Sequence, residues 1–216
     1  MMRMWRRVGR GIGACVLAAS PMLAGGAAYD DFINAVRIGN AGEVVRWLRR
    51  SMDPDSVDPT GMPVLLLAAR GGQLDVVKAL AEARANLEKT NANRETAMML
   101  AAIGGHREVV EYLIARGAQV NRPGWTALIY AAANGHRRVV ELLLEHHAYI
   151  DAAPPNGVTA LMMAARGGHL ETVKLLLEEG ADPTLKNDLG QTAADWAVMT
   201  KNTDIADLIR AQVKGR

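Results

Sequence analysis

The chain has 216 residues, half of them hydrophobic but only 4% aromatic with a single phenylalanine, so any core that it buries is aliphatic. Its formal net charge of +2 depends on Arg3, Arg6, Arg7 and Arg10; setting these four aside leaves 21 basic against 23 acidic residues, a net of −2. That balance excludes a global attraction of the remainder to nucleic acid or to an anionic membrane.

The first 28 residues read as a secretory signal. An arginine-rich start is followed by an uncharged run from Gly11 through Leu17 and Leu23, then by the small residues Ala24, Gly25, Gly26, Ala27 and Ala28. Cleavage is expected after Ala27 or Ala28. An uncleaved inner-membrane anchor is the alternative, but glycines, alanines and Pro21 make the run weakly hydrophobic for a spanning helix. Arg6 and Arg7 form a twin-arginine pair, yet Gly9 stands where a folded-export signal carries a hydrophobic residue, so ordinary export is favoured. Cys15 is the only cysteine, and Arg10 lies too close to it for a lipoprotein box. A mature chain without thiols suits an oxidising compartment, and the short basic signal looks bacterial. The expected location is the periplasm.

From Tyr29 onward one pattern recurs, marked by Pro63, Thr96, Thr126, Thr159 and Thr192. Its period is set before any other element is placed. In the first copy (29–57) Phe32, Ala35 and Val36 make one apolar stripe at helical spacing and Val44, Trp47 and Leu48 a second, with Gly39 and Asn40 between them. The acid cluster Asp53, Asp55 and Asp58 lacks the turn glycine and distal glutamate of a calcium loop and reads as a turn. The second copy (58–90) keeps Val64, Leu65, Ala68, Ala69, Val77 and Leu80 but has Pro63 at the capping position and Arg84 where a helix-ending glycine belongs. A non-glycine residue at positive φ costs about 1 kcal/mol, so this junction is expected to fray or to take another turn.

The third copy (91–121) is regular except for Arg94 at a turn glycine. Its junction with the fourth (122–153) is three residues short, since only Arg122 and Pro123 separate Asn121 from Gly124. Trp125 follows at once, either exposed as an anchor for a partner or folded over the truncated loop. The fourth copy ends in His146, His147, Ala148 and Tyr149; adjacent histidines point apart and no third ligand has metal spacing, so no metal is expected. In the fifth copy (154–186) Thr159 caps a helix carrying Leu161, Ala164 and Ala165, glycines stop it, and Leu170, Val173, Leu176 and Leu177 line a second helix ending at Gly180. The sixth (187–216) has Lys201 in place of a glycine and a polar outer edge, as a terminal cap requires. His106, His136 and His169 each follow the inter-helix glycine, where a side chain that both donates and accepts satisfies loop backbone.

The core Thr159-Ala-Leu-x-x-Ala-Ala-x-x-Gly-His169, the later Val173-x-x-Leu176-Leu177 and the closing Gly180-Ala-Asp182 resemble the ankyrin repeat, and the resemblance runs from about Tyr29 to the C-terminus. It implies an all-α solenoid of about six helix-turn-helix units with short hairpin loops, or fingers, beside a concave face. The alanine pairs at 68/69, 101/102, 131/132 and 164/165 allow the first helices to approach closely and curve the stack. Arg107 with Glu111 and Arg137 with Glu141 are expected to pair on the convex side. In this family the variable positions of the finger and of the end of the first helix touch the partner. Carried over, these are Met62 and Arg70; Glu95 and Ile103; Trp125, Tyr130 and Asn134; Val158 and Arg166; and Gln191. Leu66, Met99, Ile129 and Met162 are left open between packing and partial exposure.

No Ser/His/Asp, Cys/His or metal constellation stands outside the repeat-determined positions. The function expected is therefore non-enzymatic binding of a partner protein, as an inhibitor, an immunity factor or an accessory, by a monomer without a cofactor, a small-molecule substrate or nucleic acid. The surface is mixed rather than basic, which suits protein better than phosphate.

Overall fold

The computed structural model describes residues 21–214, so most of the expected leader lies outside the described residues. Twelve helices follow one another among them: α1 Pro21–Arg37, α2 Ala41–Arg49, α3 Val64–Arg70, α4 Leu74–Glu82, α5 Ala97–Ile103, α6 Arg107–Ala115, α7 Ala127–Ala133, α8 Arg137–Glu145, α9 Ala160–Gly167, α10 Leu170–Glu178, α11 Ala193–Met199 and α12 Thr203–Lys214. They form six antiparallel pairs. The first helices of the pairs stack on one another in order, and so do the second helices. The result is the helical solenoid that the resemblance implies. None of the described helices is long and apolar enough to cross a membrane.

From α3 onward each first helix is only about two turns long and starts where its sequence says. Thr96, Thr126 and Thr159 accept a hydrogen bond on the side-chain oxygen from the backbone N–H three residues on, at 3.4, 3.2 and 3.3 Å. Thr192 does the same, and the Asp195 carboxylate returns a bond to its backbone N–H at 2.8 Å. Pro63 offers no side-chain bond, as its chemistry requires. The alanines at 68, 69, 101, 102, 131, 132, 164 and 165 are fully buried, which is what lets neighbouring first helices touch. Leu80, Leu113, Leu143 and Leu176 occupy one position of successive second helices and are likewise fully buried. Leu66, Met99, Ile129 and Met162 resolve to packing, at 5% exposure or less.

The expected fraying at Arg84 does not occur. Arg84 takes the left-handed conformation at φ 67°, and the Ala85 N–H closes on the Leu80 carbonyl at 3.0 Å, the same closure that Ala118 makes on Leu113 after Gly117. Ser51, Arg94, His147 and Lys201 also hold positive φ. Each stores on the order of 1 kcal/mol of strain, offset by the bonds of its turn and by the packing of the helices on either side. A second correction concerns the convex face. Arg107 pairs with Glu111 at 2.9 Å, but Arg137 forms no ion pair with Glu141; its charge instead acts on Glu171 of the next repeat.

Between repeats the inter-helix turns are linked by a row of side-chain donors. The Nε2 atoms of His106, His136 and His169 lie 3.0, 2.8 and 3.0 Å from the carbonyls of Arg70, Ile103 and Ala133, each at the end of the preceding repeat's first helix. A carbonyl only accepts, so each Nε2 carries the proton. Gln73 donates to Arg37 in the same way at 3.0 Å, and Asn202 to Ala165 at 3.1 Å. The histidines thus satisfy the neighbour's helix end rather than their own loop. The glycines beside them are needed for room as well as for φ: a Cβ on Gly72 would fall 2.5 Å from the His106 ring, and one on Gly135 2.5 Å from that of His169.

Removing one rung tests its weight. His136→Ala leaves the Ile103 carbonyl without its donor and is expected to lower stability by about 1–2 kcal/mol, while His136→Gln, which supplies an amide donor as Gln73 does at the first junction, loses less than half of that. Urea unfolding of the two variants beside the parent reads the difference.

Candidate partner-binding face

The fingers are built on one polar side chain each. Asp58 Oδ1 accepts the N–H groups of Thr60 and Met62 at 2.8 and 3.0 Å; Asn91 Oδ1 accepts those of Asn93 and Glu95, each at 3.0 Å; Asn187 Oδ1 accepts those of Leu189 and Gln191 at 3.1 and 2.9 Å. Asn156 Oδ1 holds the Val158 N–H at 3.3 Å. The carboxylates that raised the question of calcium are engaged in such bonds: Asp53 accepts from Asp55, Asp55 from Asn86, and Asp58 also pairs with Arg37 at 2.9 Å.

At the truncated junction no such finger stands. Arg122 turns back to pair with Glu88, whose other oxygen accepts the Gln119 N–H at 2.8 Å, and Asn121 Oδ1 accepts the Tyr149 N–H at 2.8 Å. The space left by the missing residues is a groove of 520 Å³ between Asn93–Glu95 on one side and Pro154–Asn156 on the other. Trp125 and Tyr130 form its base, stacked at 5.6 Å between ring centroids with 29° between planes. Trp125 is 36% exposed, so it both packs on Tyr130 and keeps part of its surface in the groove. The Tyr130 hydroxyl donates to Glu95 Oε1 at 3.1 Å, and Asn91 Nδ2 to Glu95 Oε2 at 2.7 Å. Burial, with the charge and hydrogen bond of Glu95 behind it, pushes the Tyr130 hydroxyl up to about 12. It stays a donor at any physiological pH.

The ten residues expected at the face separate into groups. Glu95, Trp125 and Tyr130 converge on the groove. Arg166 and Gln191 meet at the C-terminal end of the same face, where the Arg166 guanidinium lies 5.6 Å above the Trp196 ring and Trp196 Nε1 donates to Gln191 Oε1 at 2.9 Å beside a hollow of 170 Å³. Arg70 and Asn134 are exposed, the latter donating to the Tyr130 carbonyl at 2.9 Å, while Met62 and Ile103 are half-buried. Val158 must be withdrawn. It is 5% exposed, because its side chain packs under the fifth finger against the core. Trp196 was missed, although it lies two repeats after Tyr130 at the equivalent position. Exposed Leu189, at 75%, caps the last finger. His146 and His147 are exposed away from these groups, and the His147 carbonyl accepts from Asn121 at 2.8 Å.

Burial pushes the Asp58 carboxyl up, but the Thr60 hydroxyl, the Arg37 guanidinium and the Met62 and Thr60 N–H groups outweigh it and hold it at about 2 rather than 3.8. A carboxyl depressed on folding stabilises the fold above its unfolded pKa and loses that contribution as pH falls toward its folded one. With half-exposed Arg37 screened by solvent, the contribution is on the order of 1–2 kcal/mol. Between about pH 5 and pH 2 the parent is therefore expected to lose that much more stability than Asp58→Asn, as urea midpoints across the interval would show.

A family model described as "Ankyrin repeats (3 copies)" matches residues 32–123, 83–154, 120–187 and 149–214. Among similar proteins, the Notch-regulated ankyrin repeat-containing protein of Homo sapiens is 33% identical over 89 residues, 39% of this chain and 78% of its own length. Protein phosphatase 1 regulatory subunit 27 of Mus musculus is 30% identical over 88 residues, 40% of this chain and 57% of that protein. Alpha-latrocrustotoxin-Lt1a of Latrodectus tredecimguttatus is 33% identical over 93 residues, 43% of this chain; the chain spans only 7% of that relative's length.

Proposed function

Because the chain belongs to the ankyrin-repeat family, we propose that it is a non-enzymatic module that holds another protein against its concave face and fingers, centred on the groove at the truncated junction. The supporting observation is that groove. It is the one place where the repeat departs from its period, and the departure uncovers an aromatic pair beside a carboxylate. Large aromatic side chains with a polar neighbour are what protein interfaces use as anchors. The polar residues that resemble catalytic material are consumed by the repeat itself, the three histidines by neighbouring carbonyls and the acids by turns. One relative is named as a regulatory subunit of an enzyme, a role of the same kind as the inhibitor, immunity or accessory role proposed here.

The proposed setting is the periplasm, reached through cleavage near Ala28. It rests on the basic start, the uncharged run and the small residues before Tyr29. The first residue of the exported protein decides it: a start near Tyr29 supports export by cleavage, and an intact leader in the membrane fraction supports a tethered scaffold instead.

For the binding face, immobilised protein is exposed to periplasmic extract and the retained proteins are compared between variants. Trp125→Ala and Arg70→Ala are expected to weaken retention, whereas Arg107→Ala on the convex side leaves it unchanged. Retention indifferent to both concave substitutions would remove the face from consideration.

A further inference from the structure

The described aromatic side chains of this protein divide by what lies over them. The Arg50 guanidinium lies 5.4 Å above the Trp47 ring, Arg116 lies 5.8 Å above Tyr112, and Arg166 lies 5.6 Å above Trp196. Trp125 has no such cover among the described residues; Tyr130 stacks against it, and the rest of its exposed surface opens on the groove. The electron-rich face of an indole is the best aromatic seat for a cation.

A carboxylate stands beside it without a cation. Glu95 is half-buried and receives two neutral donors, the Tyr130 hydroxyl and the Asn91 amide, but forms no ion pair among the described residues. The two arginines of the groove do not fill that place. Arg122 is spent on Glu88, and Arg94 is exposed at the finger with no acidic partner of its own among the described residues. A half-buried carboxylate fixed at both oxygens by neutral donors keeps its position, so a cation meets it at little cost in reorganisation. The body from Tyr29 on is also net acidic.

We propose that the groove at the truncated junction is a receptor for one basic side chain of the partner protein, an arginine or lysine seated on the open part of Trp125 with its charge against Glu95. This deepens the reading of the chain as a partner-binding module and rests on it. Arginine fits best: its planar guanidinium lies flat on the indole while its edge meets the carboxylate. A lysine ammonium meets the same two groups as a point charge.

Three short peptides serve as probes: acetyl-Gly-Arg-Gly-amide, the lysine equivalent, and the uncharged citrulline equivalent. The full chain is labelled with 5-fluorotryptophan, and the Trp125 resonance is identified by its loss in Trp125→Phe. The basic peptides are expected to shift Trp125 and leave Trp47 in place, with the citrulline peptide at least about fivefold weaker. Glu95→Gln keeps an oxygen for the Tyr130 hydroxyl; with thermal unfolding unchanged, it is expected to weaken the arginine peptide by a similar factor, and Arg107→Ala to have no effect. Equal shifts from arginine and citrulline peptides, an undiminished response in Glu95→Gln, or no shift from any peptide would each overturn the assignment. If no peptide shifts Trp125 while extract proteins are still retained through the concave face, only this assignment fails. If the arginine peptide seats as described and no protein is retained, it is the binding-module reading that fails.

Discussion

No hairpin of this chain covers its own apolar stripe, and the whole architecture follows from that. Helix α5 buries six of its seven residues, Ala97 to Ala102, and a helix two turns long has that many buried positions only with neighbours on both sides. At the ends the condition relaxes. Helix α2 fully buries Val44 alone and α12 buries Ile205, Ala206 and Ile209, with Arg46, Arg49, Asp204, Asp207, Arg210 and Lys214 exposed on their outer sides. Stability in such a stack is close to a sum of nearest-neighbour terms, so the outer hairpins are the least secure and the third to fifth the most.

The donor row between repeats shows how the stack absorbs its one irregularity. Gln73, His106 and His169 each reach a carbonyl 36 residues back, whereas His136 reaches Ile103 over 33. The three missing residues are thus taken out between α6 and α7 without disturbing the turn that His136 secures. Had they been lost from α6 or α7, helices of nine and seven residues, nearly a whole turn of buried positions would have gone with them. The loss falls where backbone is at the surface and packing demands least, which is why it converts a finger into a groove and leaves the fold intact.

Much of this was legible in the residues. The threonine caps, the buried alanine pairs and the shortened junction all depend on local spacing, and spacing is what a repeat displays. What was not legible depends on a partner one repeat away. The histidines read as groups serving their own loops, since nothing in a single repeat reveals that the exposed carbonyl belongs to the preceding helix. Arg84 read as a breaking point because its strain is local, while the closure that offsets it is set by Leu80 and by the packed helices around it. Val158 read as surface from its place in the finger, and only the way the fifth finger folds onto the core removes it. Trp196 was passed over as part of a terminal cap, although its register with Tyr130 was available.

The face that results is ordered before anything binds. Trp125 rests on Tyr130, the Tyr130 hydroxyl is tied to Glu95, and Glu95 is tied to Asn91 at the root of the third finger. Because that hydroxyl is held up at about 12, it remains a donor to Glu95 at any physiological pH. At the other end Arg166 and Gln191 are fixed in the same manner around Trp196. Immobilising rotamer-rich side chains on association costs on the order of 0.5–1.5 kcal/mol each, and here folding has already met that cost for the aromatic anchors. The exposed residues that remain free to adjust, Arg70 and Leu189, lie outside the two clusters. In the proposed binding mode, a rigid pair of aromatic centres flanked by adaptable side chains leaves most of the remaining ordering cost to the partner.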